Sequence, residues 1–504
     1  MQYINPVINM DYPDPDVIRV GDTYYLISTT MHFYPGGVIL ESKDLINWKI
    51  VTYVFDALES SAETRMENEL VDYSGGMWAP CLRYHDGKFY ILFGKHSGKS
   101  QTYLFSSDRI EGPYTKKVFD QYYHDCSLLF DDNKIYMTYG NRNIHLVELK
   151  NDLSGVIDET DTVVISDGDD VPLGYEGSHI YKINGMYYIF LVNWPKDSMR
   201  TQWCYRSKTI TGEYEGRAIY FEDGGLNGHG IAQGGVVDTP SGDYFSVLFQ
   251  DRGACGRMPV LTKVEWENGW PKLSQYQDYE SKIIDNGNIS ELWTSEFCKK
   301  DKLDGNEPII NKQWQWNHLP DSELWSVDSD GNLKITTDKL SINPTHAKNM
   351  LTQRMVYPEC ACEVVVDGAM LNNGDLAGLC ALQSKYGFIG ITKQAGEYYL
   401  VTIIQSDENV MSSPVSGDCL PGRVVESIRL ESDHIKVRLE ADFTDLKDEL
   451  YFFYEKDGMM IKVGNELKME FRLDHFTGYR FGLCVYSTKE TGGSALFKKF
   501  EYIV

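Results

Sequence analysis

No apolar run in the chain approaches the roughly 18 residues that a membrane-spanning helix needs. No cluster of Lys and Arg breaks an acidic balance of 74 Asp and Glu against 48 Lys and Arg, a net charge of -26. Such a field repels phosphate backbones and anionic lipid surfaces, which argues against nucleic acid and membranes as partners. No CxxC occurs among the ten cysteines, and Cys360 and Cys362, two apart on one strand face, are too few for a zinc site. HExxH, EF-hand and P-loop motifs are also missing. Scattered thiols suit a reducing compartment. The opening Met1-Gln2-Tyr3-Ile4-Asn5-Pro6 has neither a basic nor an apolar leader region, so the expected location is cytoplasmic.

What is present is a long chain rich in aromatics. Its 504 residues predict two domains, and 42% hydrophobic residues suffice for their cores. The 34 tyrosines, with 21 Phe and 10 Trp, favour half-buried strands and flat binding surfaces.

The first half repeats itself. A strand, a tight Gly/Asn/Asp turn and a strand with paired aromatics appear as DPDVIRVGDTYYLIST from Asp14 and APCLRYHDGKFYILFGK from Ala79. They return as DCSLLFDDNKIYMTYGN from Asp125, EGSHIYKINGMYYIFLVN from Glu176 and QGGVVDTPSGDYFSVLFQ from Gln233. The starts lie 65, 46, 51 and 57 residues apart, each interval long enough for one four-stranded unit. Turn pairs such as Asp86-Gly87 and Asn184-Gly185 supply the positive φ of tight hairpins. Five such units predict a five-bladed β-propeller, with a two-sheet sandwich as the alternative.

Innermost strands of a propeller converge on one mouth. Three of the five repeats start with an acid: Asp14, Asp125 and Glu176. Lone carboxylates are costly against an apolar centre, and converging ones raise one another's pKa, an arrangement suited to acid–base chemistry. Binding to turn amides is the other reading of each acid, and for Asp86, Asp131 and Asp132, inside turns, it is the preferred one.

These segments resemble glycoside hydrolase family 43. The opening NPVINMDYPDPDVIRVGDTYYL, then GMWAPCLRYHDGKFYIL, DCSLLFDD, YEGSHIYKINGMYYIF and HGIAQGGVVDTPSGDYFSVLFQDRGACGRMPVL are similar to the family's blocks, in order, over roughly Asn5 to Leu273. The resemblance implies that Asp14 is the general base that activates water, that Glu176 is the general acid, and that Asp125 tunes and holds Glu176. It also implies inversion at the anomeric carbon. Trp78 matches a pocket aromatic, with blade packing as its alternative, and Phe33 is a similar candidate. Arg257 matches an arginine that binds sugar hydroxyls; the alternative is a buried pairing with one of the acids. His229 matches a histidine near the propeller axis, so the implied metal is at most a structural Ca2+ there, and no cofactor is required. The sequence departs from the family's Asp-Pro-Ser at Asp14-Pro15-Asp16, where Asp16 adds a carboxylate expected to point into the blade.

After Trp270-Pro271 the repeat ends. Gln275 to Gly305 reads as a polar connector with one strand at Leu292-Trp293-Thr294. Beyond it, alternating runs such as Glu363–Val366, Tyr398–Ile404 and Ile435–Leu439 predict a β-sandwich. It resembles the concanavalin-like domain appended to xylosidases of the family. The division expected is a catalytic propeller over 1–290 and a sandwich over 291–504. A loop of that second domain reaches the active site in xylosidase relatives; the matching stretch is Gln383 to Phe388, with Tyr386 as the sugar-contacting candidate. The resemblance implies an exo-acting β-xylosidase or α-L-arabinofuranosidase working on small oligosaccharides; a homo-oligomer is compatible with it. A non-catalytic sugar-binding propeller and a protein-interaction scaffold are the alternatives.

Overall fold

The computed structural model describes residues 4–167, 172–226, 228–276, 291–298, 309–406 and 420–504. The first half forms five antiparallel sheets around a common axis, a five-bladed β-propeller. Blade I takes its strands from Asp16–Val20, Thr23–Ser28, Gly36–Ser42 and Lys49–Phe55, and blade II spans Gly76–Phe119. Blade III spans Ser127–Ser166 and blade IV Leu173–Tyr220. Blade V runs from Ile231 to Leu273, its inner strand interrupted between Ala232 and Val236.

The inner hairpins are two-residue turns in four blades. Val20 faces Thr23, His85 faces Lys88, Asp131 faces Lys134 and Ile183 faces Met186. Between them sit residues with the positive φ such turns require, among them Gly21 (64°), Asp86 and Gly87 (46°, 77°) and Asn184 and Gly185 (50°, 78°).

The ring closes in two ways. Arg19 of blade I bonds Asp238 of blade V. The N-terminal segment runs beside the third strand of blade V, with Val7 N donating to Pro259 O (3.0 Å) and Tyr12 N to Arg257 O (2.9 Å).

The second half is a β-sandwich of two large sheets. One sheet is ordered Gln315–Asn317, Met350–Arg354, Arg480–Ser487, Asp375–Leu382, Gly387–Gln394, Glu397–Ile404, Arg423–Leu430. Its first strand pairs further with Phe33–Tyr34, a two-residue strand of the propeller half. The other sheet carries Glu359–Asp367, His434–Asp442 and Glu449–Lys456 at its centre. Val364, Leu379, Leu439 and Phe452 belong to one core whose buried members continue into blade I and blade V.

Leu292-Trp293-Thr294 is not a strand. Leu292 is buried in the core, Trp293 stacks on Tyr502, and the Thr294 amide donates to the Gln353 side chain (2.9 Å), so packing and a side-chain acceptor replace ladder bonds. The nine described cysteines are all free thiols, and Cys419 lies outside the described residues.

Candidate active site

Pairing register fixes which residues are equivalent around the axis. Asp16, Cys81, Ser127 and His179 lie opposite Ile27, Leu92, Thr138 and Phe190, at the same distance from their hairpin turns. Two residues earlier, before or at a break in the regular pairing, stand Asp14, Ala79, Asp125 and Gly177, joined in blade V by Gln233. All five have positive φ, at 50°, 36°, 45°, 64° and 59°. Together they line the mouth. Glu176 is therefore not in phase with Asp14 and Asp125, as its place at a repeat start suggests. It stands one residue earlier, equivalent to Pro13, Trp78 and His124. The reason is Gly177, which takes the left-handed ring position; a Cβ there would meet Gln233 Cγ at 2.7 Å.

Asp14 is held on both oxygens. Arg257 Nη1 donates to Oδ1 (2.7 Å), and Thr29 Oγ1 donates to Oδ2 (2.8 Å) while accepting from Ala79 N (2.9 Å). Burial pushes the Asp14 carboxyl above its ordinary range; Arg257 opposes this and the charge of Asp125 adds to it. Of the two readings of Arg257, the structure shows the buried pairing with an acid. Its Nη1 pairs with an acid, while Nε and Nη2 are buried without a protein acceptor, leaving donors for a ligand.

Asp125 accepts from Gly177 N at 2.9 Å, and its main-chain oxygen accepts from Ser178 Oγ at 2.7 Å. Its carboxyl is also raised, by burial first, against the pull of His124. Glu176 accepts at Oε2 from Asn141 Nδ2 (2.6 Å) and lies 3.1 Å from His124 Nε2. Burial pulls the His124 imidazole down, but Asp125 and Glu176 outweigh it and push it up to about 9. The Tyr122 hydroxyl meets the other imidazole nitrogen at 2.9 Å.

Below the ring the axis is plugged. Arg83 donates to Asp16 Oδ2 (2.7 Å), Ser127 Oγ (2.8 Å) and Leu128 O (2.8 Å). Asp16 also accepts from Leu82 N at 2.7 Å and lies 3.2 Å from His179 Nδ1. It is fully buried, and although burial opposes ionisation, Arg83 and His179 hold its carboxyl well below the usual range. The added carboxylate is thus a strut at the axis, bonded to blades II and IV rather than pointing into its own blade as expected, because Arg83 compensates its charge there, and the mouth ends blind.

Trp78 stands on the rim, half-buried, stacked on His96 at 4.3 Å and hydrogen-bonded through Nε1 to Ser74 O (2.8 Å). Phe33 does not line the mouth. Its ring is buried beneath the Arg480 guanidinium at 3.5 Å and belongs to a sandwich cluster, because its backbone is recruited as the edge strand of that domain. Tyr386 is likewise a core residue, fully buried with its hydroxyl donating to Pro421 O at 3.0 Å.

The second-domain residue that reaches the mouth is Phe476, which sequence reading missed. Its ring lies 5.2 Å from that of Trp78 and 4.6 Å from the Arg257 guanidinium carbon. The stretch around Tyr386 braces this loop. Gln383 Nε2 donates to Thr477 O (2.8 Å), Ser384 Oγ to Asp474 Oδ2 (3.0 Å) and Lys385 Nζ to Glu470 Oε2 (2.8 Å). Asp11 ties the same loop to the propeller, with Oδ1 accepting from Arg257 N (2.8 Å) and Oδ2 from Gly478 N (2.9 Å) and Thr477 Oγ1 (3.0 Å).

His229 is exposed, beside Trp194 (5.3 Å) and 3.5 Å from an Asp251 oxygen that already accepts from Arg200 (2.6 Å). Calcium requires six to eight oxygen ligands, and the described surroundings of His229 do not fit it. Among the described residues His124, Asp125 and Glu176 converge, with polar side-chain atoms within 4.8 Å of one another.

Comparison with known proteins agrees with this geometry. The model of glycosyl hydrolases family 43 matches residues 3–271, and that of the β-xylosidase C-terminal concanavalin A-like domain matches residues 303–503. A β-xylosidase of Formosa agariphila is 30% identical over 388 residues, 68% of this chain and 63% of the relative. Xylosidase/arabinosidase 43B of Humicola insolens is 25% identical over 99% of this chain and 97% of its own. Among solved structures, a bifunctional GH43-CE protein of Bacteroides eggerthii superposes with a TM-score of 0.91 at 40% identity, over 99% of this chain but 63% of that one. The chain thus spans somewhat under two thirds of the length of the Formosa and Bacteroides relatives. With models of the family and of its appended concanavalin A-like domain matched in order along the chain, the protein belongs to glycosyl hydrolases family 43.

Proposed function

We propose that this glycosidase is exo-acting and releases a terminal pentose, β-D-xylose and also α-L-arabinofuranose, from xylan-derived oligosaccharides with inversion. The division of labour is a catalytic propeller over 1–290 and a sandwich over 291–504 that supports it and supplies Phe476. The observation that carries the reading is the placement of two differently held acids, Asp14 and Glu176, on non-adjacent blades of one blind mouth.

Asp14, with one hydrogen bond on each oxygen, retains lone pairs for a water. Its raised pKa makes it a stronger base while Arg257 keeps its anionic form accessible. It takes a proton as the water oxygen bonds the anomeric carbon. The glycosidic C–O bond breaks, and Glu176 gives its proton to the leaving oxygen. Inversion follows when water fits between base and sugar. Asp125, fixed by Gly177 N, adds negative charge beside the acid. The free donors of Arg257 suit sugar hydroxyls, and Trp78 and Phe476 offer faces to the ring and its neighbour. The blind floor under Arg83 favours a chain end.

The pentose assignment is supported by the names of relatives, β-xylosidase and xylosidase/arabinosidase. A panel of aryl glycosides and short xylo-oligosaccharides tests it. Release of xylose or arabinose one residue at a time is expected. Equal turnover of hexosides, or internal cleavage of long xylan, would overturn it.

A further inference from the structure

His124 has no role in the reading above, yet it is built into the site. It occupies in blade III the rim position that Glu176 occupies in blade IV, one residue before the ring, which is why neighbouring blades bring the two together. Its Nε2 lies 3.1 Å from Glu176 Oε2 and 3.7 Å from Asp125 Oδ2, and its Nδ1 lies 2.9 Å from the Tyr122 hydroxyl. Asn141 fixes the same Glu176 oxygen from the other side at 2.6 Å. Tyr122 is itself wedged in place, since a Cβ on Gly94 would meet its ring at 2.5 Å. The groups facing His124 are the carboxylates of Asp125, Glu176 and Asp14, the imidazole of His96 and the phenol of Tyr122.

We propose that His124 and Glu176 hold the acid's proton as one unit, with His124 the residue that resupplies it. The inference rests on Glu176 being the acid. In the resting enzyme one mobile proton is shared between imidazolium–carboxylate and imidazole–carboxylic acid forms. The Nε2 proton moves to Glu176 Oε2, a half-turn of the carboxyl aims it at the glycosidic oxygen, and that oxygen takes it as the C–O bond breaks. The pair is left as neutral imidazole and carboxylate. His124 then takes one proton from solvent water, matching the one Asp14 removed from the attacking water and returns to solvent. The Tyr122 hydroxyl can donate to Nδ1 in the neutral imidazole and accept from it in the imidazolium. The direction of the His124 shift, upward under the carboxylates, agrees with a proton kept on the pair into the alkaline range.

The test compares pH–rate profiles of the full chain and of His124→Gln, which keeps an N–H donor near Glu176 but cannot carry a proton. On xylobiose, whose leaving group needs the acid, the alkaline limb should fall by about one pH unit or more. On a nitrophenyl xyloside, whose leaving group needs little protonation, the loss of rate should be much smaller than on xylobiose. An unchanged limb on xylobiose would overturn the proposal and leave His124 a packing residue. Should His124→Gln not fold, nitrogen-15 NMR of labelled histidines decides. The His124 titration should drop by about one unit in Glu176→Gln, and an unshifted titration would overturn the pairing. Failure of the underlying reading looks different. Glu176→Ala would then lose equal activity on xylobiose and the nitrophenyl substrate, whatever His124→Gln does.

Discussion

The ring of Phe476, from the sandwich, stands 5.2 Å from that of Trp78, on the propeller rim. The sandwich core already continues into blades I and V, and this aromatic pair adds a contact between the two domains at the mouth. Because Phe476 also covers Arg257, Phe476→Ala should loosen the hold on substrate rather than the chemistry. A rise in KM of roughly 2–10-fold is expected, with kcat little changed and an unaltered melting temperature. Tyr386→Phe, removing only the bond to Pro421, should leave KM as it is. Steady-state kinetics on xylobiose separates the two.

Asp14→Ala should abolish hydrolysis of every substrate, since it removes the base proposed for the attacking water. Glu176→Ala should cost about 10²–10⁴-fold on xylobiose and far less on substrates with good leaving groups. Parallel assays on both substrate types check the contrast.

NMR of the first-formed sugar should show the anomer opposite to that of the substrate. Net retention, or a sugar trapped on Asp14, would rule out the water-activating role given to that residue.

The domain interface carries three buried histidines that should make the protein acid-sensitive. His318 is pushed down to about 3 by burial, helped by His346, and its Nε2 accepts from Asp72 N at 2.8 Å. His32 and His475 are also lowered, chiefly by burial, and both rings are closed off from solvent. The unfolded chain binds these protons below about pH 6.5, and the folded one does not until much lower pH. Stability should therefore decline from about pH 6.5 towards the folded values. Asp14 and Asp125, with raised carboxyls, act in the opposite sense, so the histidine share must be isolated by substitution. His475 stacks on Tyr73 at 3.7 Å and 1°. His475→Phe keeps a ring there, and its melting temperature should fall less steeply between pH 7 and 4, as scanning calorimetry would record.

Much of the propeller was legible because its inner hairpins alternate with period two and end in turns whose residues demand positive φ, as at Asp86-Gly87 and Asn184-Gly185. The acids were legible for the same reason, with one slip. Aligning repeats by their carboxylates puts Glu176 in the ring, whereas the glycine after it is the conformational signal that takes the ring position. His124 carried that signal too, one residue before Asp125. Phe476 was not legible: nothing local marks a loop whose place is set by Asp11, more than 460 residues away in the chain. Tyr386 and Phe33 were misread because an aromatic between strands looks the same whether it faces a ligand or a core.

The bonds of Asp11 and the strand Phe33–Tyr34 bear on the order in which the chain can fold as it is made. Residues 5–12 lie against a strand that begins at Arg257, Phe33–Tyr34 pairs with Trp316 and Asn317, and Asp11 closes on Thr477 and Gly478. Residues around Asp11 therefore wait for those around Gly478. Contacts of such sequence separation slow folding and leave partly formed chains exposed in the meantime. A ribosome-bound chain that stops before residue 477 would have its blades but not its latch, and refolding should be limited by the joining of residues 5–34 to the sandwich rather than by any single blade.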